Sequence, residues 1–248
     1  MKKALKIILT ILFWIAAWQL AAFGVSSVIL LPSPADVFKA LLSLVSTGEF
    51  YISVMFSVIR ITCGFICGSV LGIICGTLSF KSKLLNTLLS PVASVIKSTP
   101  VASFIVLLFV WFSNGTVAAV TSALIVIPVM WSNTFTSLSQ TDKNLIEMAD
   151  VFKVPYFKKI KEIYIPSITP SLKSAAATSL GLAWKAGVAA EVICSPKNSI
   201  GGGIYSSKVY LETPSLFAWT AVVIAVSVIL EKLLIKLINR KNTKGGKA

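Results

Sequence analysis

Residues 54–80 read VMFSVIRITCGFICGSVLGIICGTLSF, with Arg60 as the one charge. A helix needs about 20 mostly apolar residues to cross a bilayer, and this stretch exceeds that. Within it Gly64, Gly68, Gly72 and Gly76 recur every fourth residue. That spacing puts four small residues on one helical face, where a second helix can come close in lipid. We read these four as helix-packing residues and not as a substrate site.

The rest of the chain agrees. Of its 248 residues, 56% are apolar and 13% charged, against about 25% charged in soluble proteins. Mean hydropathy is +0.87. A soluble domain of this length has too little interior to hide so much apolar surface. A disordered chain, a disulfide scaffold and an ordinary soluble enzyme are excluded. Histidine is absent, which removes histidine metal sites and general bases, and no metal is expected. Cys63, Cys67 and Cys75 lie inside the same apolar stretch, and Cys194 lies further on. We read them as small apolar packing residues.

Five further spans are expected at residues 4–25, 101–112 (extended backwards by 91–100, where Pro91 and Pro100 interrupt), 116–138, 174–193 and 216–238. The first run is longer than the apolar core of a signal peptide, so it reads as a retained span. The expected fold is therefore an all-α membrane protein of about six transmembrane helices. Residues 1–248 form a single integral-membrane domain. Residues 1–50 hold the first span and an outer amphipathic segment, and 54–238 form the core.

The net charge of +14 tests the topology. With the N-terminus inside, 18 of the 23 Lys and Arg residues fall in inner segments. Only Lys39, Lys197 and Lys208 fall outside, while Arg60 and Lys185 lie in spans. Basic residues accumulate on the cytoplasmic side, so both termini are expected in the cytoplasm of a cell carrying this protein in its plasma membrane. The charge then meets anionic lipid, and no nucleic-acid partner is needed. Trp14, Trp18, Trp111, Trp131 and Trp219 lie within or near span ends, as expected for an interfacial belt.

Two outer loops and one inner loop remain. Ser33-Pro34 opens a helical pattern through Leu42, which predicts a short amphipathic helix. Residues 195–214 carry Gly201-Gly202-Gly203, which predicts a flexible or tightly turned loop. The inner segment 139–173 is the longest. Leu145, Met148, Val151 and Phe152 fit one helical face, and Pro155 fits the first turn of a second helix with Ile160 and Ile163 on one side. Two short helices with a turn near Lys153 are predicted.

This inner segment resembles the last large cytoplasmic loop of the membrane subunit of type I ABC importers. The signature there is Glu-Ala-Ala, three residues, Gly, nine residues, then Ile-x-Leu-Pro. Here Glu147-Met148-Ala149 stands at its start, Lys153 at the glycine, and Ile163-Tyr164-Ile165-Pro166 at its end. Other segments are similar to the sulfonate, nitrate and taurine branch: Arg60 with Gly64-Phe65, Leu89-x-Pro91 leading to Thr99-Pro100, Trp111 to Gly115, Ile127-Pro128, and Trp184 with Ala190-Glu191. The resemblance covers about residues 30–240.

It implies a permease that pairs with a second permease copy, identical or different. It implies an external binding protein that delivers the solute, and an ABC ATPase subunit docked under the coupling helices. Glu147, Met148, Ala149, Asp150, Val151, Phe152 and Lys153 become the ATPase-docking element, with Ala149 packed into a groove of the ATPase. ATP belongs to that partner. This chain has no G-x-x-x-x-G-K-[ST], the loop that cradles nucleotide phosphates, so no cofactor is expected on it. Lys153 departs from the signature. A left-handed turn there would cost a non-glycine residue about 1 kcal/mol.

Charges within spans are candidates for the translocation path. Lys185 and Glu191 lie in the fifth span and Arg60 in the second. A mid-bilayer lysine costs roughly 2.5–3.5 kcal/mol on insertion scales, so Lys185 should face a cavity or a partner. Six residues separate it from Glu191, about 240° of helix, so the two do not share a face. The expected function is a permease for a small polar or anionic solute: a sulfonate, taurine, nitrate, bicarbonate or a thiamine precursor. The competing readings are a secondary transporter driven by an ion gradient and an intramembrane enzyme. The first leaves the Glu147–Pro166 loop unexplained, and the second has neither histidine nor a carboxylate pair to work with.

Overall fold

The structure is a computed structural model that describes residues 2–242. All regular elements among them are helical: α1 (Lys2–Val25), α2 (Pro34–Val45), α3 (Gly48–Lys81), α4 (Lys83–Ser98), α5 (Val101–Trp111), α6 (Asn114–Ser139), α7 (Lys143–Val151), α8 (Tyr156–Lys159), α9 (Ile165–Cys194), α10 (Ile200–Val209) and α11 (Thr213–Asn242). A π-helical turn, Ile160–Tyr164, joins α8 to α9. The chain divides into two compact units. One holds the N-terminal part to Val58 with Glu191–Val226; the other holds Ile59–Ala190 and the chain from Ser227.

In the second unit the glycine face of α3 lies against α6. A Cβ added at Gly68 would stand 2.6 Å from the Ala123 carbonyl oxygen, and one at Gly72 would stand 2.7 Å from that of Ile127. Gly64 is equally closed by the Ala119 carbonyl, and Gly76 by Thr134 at 2.6 Å. The partner position rises with the glycine position, so α3 and α6 run in the same direction. The chain between them must therefore recross the same thickness. It does so as α4 and α5, two helices bent by 107° at Ser98–Val101. This corrects the expected third span, which is a broken pair and not one straight helix. Pro100 causes the break: it holds the preceding Thr99 extended at ψ 131° and caps α5.

Helix α9 returns antiparallel to both. The Ser122 hydroxyl donates to the Ala183 carbonyl at 3.0 Å. Gly187 has no room for a Cβ because Ile61 and the Ser122 hydroxyl stand against it. The helix begins well before Ser174, since residues 165–173, expected as polar loop, are helical and carry Pro170 inside the helix. α1, α3, α6 and α11 are long and apolar enough to span; α9, rich in Ser, Thr and Ala, is long enough but less apolar.

In the first unit Ser33 caps α2. Its hydroxyl accepts from the Asp36 amide at 3.2 Å and donates to the Asp36 carboxylate at 2.7 Å. This is the predicted outer helix, with Pro34 in its first turn. The loop expected at the glycine triplet is instead α10, capped by the Ser199 hydroxyl, which accepts from the Gly202 amide at 2.9 Å. The glycines there serve close packing: a Cβ on Gly203 would fall 2.5 Å from the Trp219 ring. Trp219 is buried against Phe50, ring centroids 5.4 Å apart. In the second unit Trp131 is buried and donates to the Ser79 hydroxyl at 3.0 Å. These two tryptophans are packing residues and not belt residues, whereas Trp14 and Trp111 are exposed as a belt requires.

Candidate functional site

The signature segment folds as α7, capped at its start by Asp142, whose carboxylate accepts from the Asn144 amide at 2.8 Å. It ends in two reverse bonds: the Val154 amide donates to the Ala149 carbonyl at 2.9 Å, and the Lys153 amide to that of Asp150 at 3.0 Å. This pair closes a helix when the intervening residue is left-handed, the usual place for glycine. Lys153 stands there with φ 54°. The turn that the signature's glycine would favour is thus made by lysine, at the left-handed cost of about 1 kcal/mol. Lys153→Gly should therefore leave the fold intact and stabilise it, by up to about 1 kcal/mol less the larger chain entropy of unfolded glycine. The check is the shift in thermal midpoint of the purified chain in mild detergent; a lowered midpoint would contradict it.

The faces of α7 differ. Ala149 is 3% exposed, so its side chain is seated within its own chain, and the expectation that it enters a partner's groove is corrected. Met148, Val151 and Phe152 are exposed, the last two at 79% and 75%. Leu145 and Glu147 are also open to the outside. Asp150 forms an ion pair with Lys159 that ties α7 to α8. Apolar side chains this open on a polar, charged helix make α7 a candidate contact surface.

Polar groups gather next to this helix. A cavity of about 420 Å³ lies between the C-terminal half of α6 and the start of α9, lined by Asn133, Thr136, Gln140, Ser167 and Ser171, with Asp142 at its rim. A second, of about 260 Å³, lies between α4 and α6, lined by Asn86, Ser90, Ser94 and Lys97 with Trp131. Ser132 borders both. Along α4 these polar residues recur at helical spacing, while Leu84, Leu88, Val92 and Val95 are exposed along another stripe.

The three in-span charges lie in different settings. Glu191 is fully buried. Its Oε2 accepts from the Ser57 hydroxyl at 2.6 Å and from the Gly201 amide at 3.3 Å, and the Ser57 oxygen accepts from the Ile200 amide at 2.9 Å. The carboxylate thus caps the N-terminus of α10, where backbone amides and the helix dipole favour negative charge. This places Glu191 in a buried network within the chain and not on an exposed surface. Ser57 belongs to the same network and went unnoticed in the sequence; a buried carboxylate's need for donors is the signal that points to it. Lys185 is exposed on α9 between buried neighbours, on a stripe with Leu182, Ala189 and Ile193. Lys185 and Glu191 occupy different faces, as expected. Arg60 is half-buried, twelve residues along α3 and one turn past Ser57. Cys63, Cys67, Cys75 and Cys194 form no disulfide.

Comparison with known proteins decides the family. Residues 68–244 match the family described as the binding-protein-dependent transport system inner membrane component. The chain belongs to this family. As such it is the membrane-embedded, multi-pass permease subunit of an ABC import system, a transport component whose ATPase is a separate chain. The permease is 31% identical to the putative aliphatic sulfonates transport permease protein SsuC of Escherichia coli (strain K12), over 90% of this chain and 82% of that one. It is 28% identical to SsuC of Bacillus subtilis (strain 168), over 93% and 83%. Its fold is similar to a crystal structure of an amino acid ABC transporter with histidines. That match has a TM-score of 0.61 at 16% identity, covering 82% of this chain and 98% of the other. The ABC permease reading stands over the secondary transporter.

Proposed function

We propose that this permease lines the path of a small anionic or polar solute, of the sulfonate class, handed over by an external binding protein. An ATPase that carries the ATP docks on α7. The observation that carries this reading is the polar, short α7 presenting Met148, Val151 and Phe152 outward while it leads back to α6 and on, through α8 and the π-helical turn, to α9. A push on α7 then reaches two spanning helices that run antiparallel. The parallel run of α3 and α6 supports counting α4–α5 as one crossing. With α1, α9 and α11 this gives six crossings and puts both termini on the same side, which the basic residues favour as the cytoplasm.

The stripe of α9 bearing Lys185 supports a path or a second permease copy on that face, since a charge turned to lipid costs roughly 2.5–3.5 kcal/mol. Lys185→Met should reduce uptake of a labelled alkanesulfonate at least tenfold in cells expressing the whole system, with unchanged amounts of assembled complex. Unchanged uptake with normal assembly removes Lys185 from the path, and uptake of only uncharged solutes removes the anionic substrate class.

A further inference from the structure

The corner where α3 ends and α8 begins carries side chains that the docking role does not use. Phe80, the penultimate residue of α3, packs against Tyr164 with ring centroids 6.2 Å apart. The Lys81 ammonium lies 5.8 Å from the centre of the Tyr156 ring. The apolar run of α3 ends at Phe80 and gives way to Lys81-Ser82-Lys83, a change from apolar to basic that fits the border between bilayer and water. These two contacts therefore hold α8 and the π-helical turn beside that border, directly before α9 begins at Ile165.

Beside that border the outward face is basic and apolar together. Phe157 is 84% exposed and Ile165 is exposed, one on each side of Lys161 at four-residue spacing. Lys158, Lys161, Lys81 and Lys83 are exposed as well. The acids packed about this face are few: Asp150 is committed to Lys159, and Glu162 is the one exposed carboxylate on the segment. An exposed phenylalanine beside lysines at a membrane boundary fits the acyl–headgroup border, with the lysine stems along apolar surface and the ammonium groups on phosphate.

We infer that this corner binds an anionic phospholipid of the surrounding leaflet, with Lys83, Lys158 and Lys161 on the headgroup and Phe157 and Ile165 against its chains. The inference rests on the membrane reading alone and holds for either orientation of the chain. Because α8 continues from α7 through the Lys153 turn, lipid held here steadies the docking helix from the membrane side. A lysine near an anionic surface is worth roughly five-fold in binding, so three together are worth on the order of 100-fold.

The test titrates short-chain phosphatidylglycerol, with phosphatidylcholine as comparison, into the purified full chain in neutral detergent, counting bound lipid by native mass spectrometry. The wild type should retain phosphatidylglycerol preferentially. Lys83→Gln/Lys158→Gln/Lys161→Gln, which leaves the Lys81–Tyr156 contact in place, should lose most of that preference. The same three positions changed to arginine should restore it, which separates lost charge from a damaged fold. Lys143→Gln/Lys232→Gln/Lys236→Gln, equal in charge but elsewhere, should keep it. Equal loss in both glutamine triples would show diffuse attraction and overturn the site, as would a wild type indifferent to headgroup charge. Displacement of the bound lipid by the ATPase would overturn it too, by assigning the corner to the protein partner.

Discussion

Gly68→Ala will destabilise the permease by about 3 kcal/mol or more, while the same change at Gly181 will be neutral or stabilising. Both glycines lie inside long helices, α3 and α9, and alanine is the better helix former by roughly 0.5–1 kcal/mol. The difference is what the new methyl meets. At Gly68 it stands 2.6 Å from the Ala123 carbonyl oxygen and 2.9 Å from the Ala123 Cα, whereas nothing lies within 4 Å at Gly181. The obstacle at Gly68 is backbone, which no rotamer change can move aside. α6 must retreat, and the close contacts at Gly64, Gly72 and Gly76 retreat with it. Overpacking a tight core costs typically 1–3 kcal/mol and occasionally more, and a contact shared along three helical turns belongs at the upper end. The measurement is the thermal midpoint of each variant in one detergent. Equal midpoints for the two variants would mean that the glycine face does not hold α3 to α6.

The same face explains what could be read from the sequence. Four glycines at four-residue spacing in an apolar run fix both the helix and the stripe it packs with, because in lipid only small residues let backbones approach closely. The α7 turn was legible too, because Pro155 and the end of the apolar pattern bound it. Three features were not. Hydropathy has no direction, so Pro100 marks an interruption in the sequence while the 107° angle between α4 and α5 shows only in the fold. The glycine triplet looks like a loop because glycine frees the backbone, yet here it thins a helix so that Glu191 and Trp219 can lie against it. Single-residue burial depends on what folds over the residue. Ala149 and Glu191 therefore turned inward where the local pattern left them free to face a partner or a path.

The central claim is that α7 is the docking element, and its outward residues carry the second large effect. Val151 and Phe152 are the most exposed apolar side chains on the helix and its cap. An aromatic anchor buried at an interface is worth about 2–4 kcal/mol, and a carboxylate in its place adds the cost of burying a charge without a partner. Val151→Glu/Phe152→Glu should therefore weaken ATPase binding more than a hundredfold, since each 1.4 kcal/mol is tenfold. The chain itself should stay folded because both side chains lie outside its core. Ala149→Glu tests something else, as it strikes the chain's own packing and should lower the thermal midpoint. The deciding measurement is co-purification of the tagged chain from its host in mild detergent. We expect a stoichiometric ATPase with the wild type and its loss with Val151→Glu/Phe152→Glu at an unchanged thermal midpoint. An ATPase retained in full by that variant would contradict the docking role of α7.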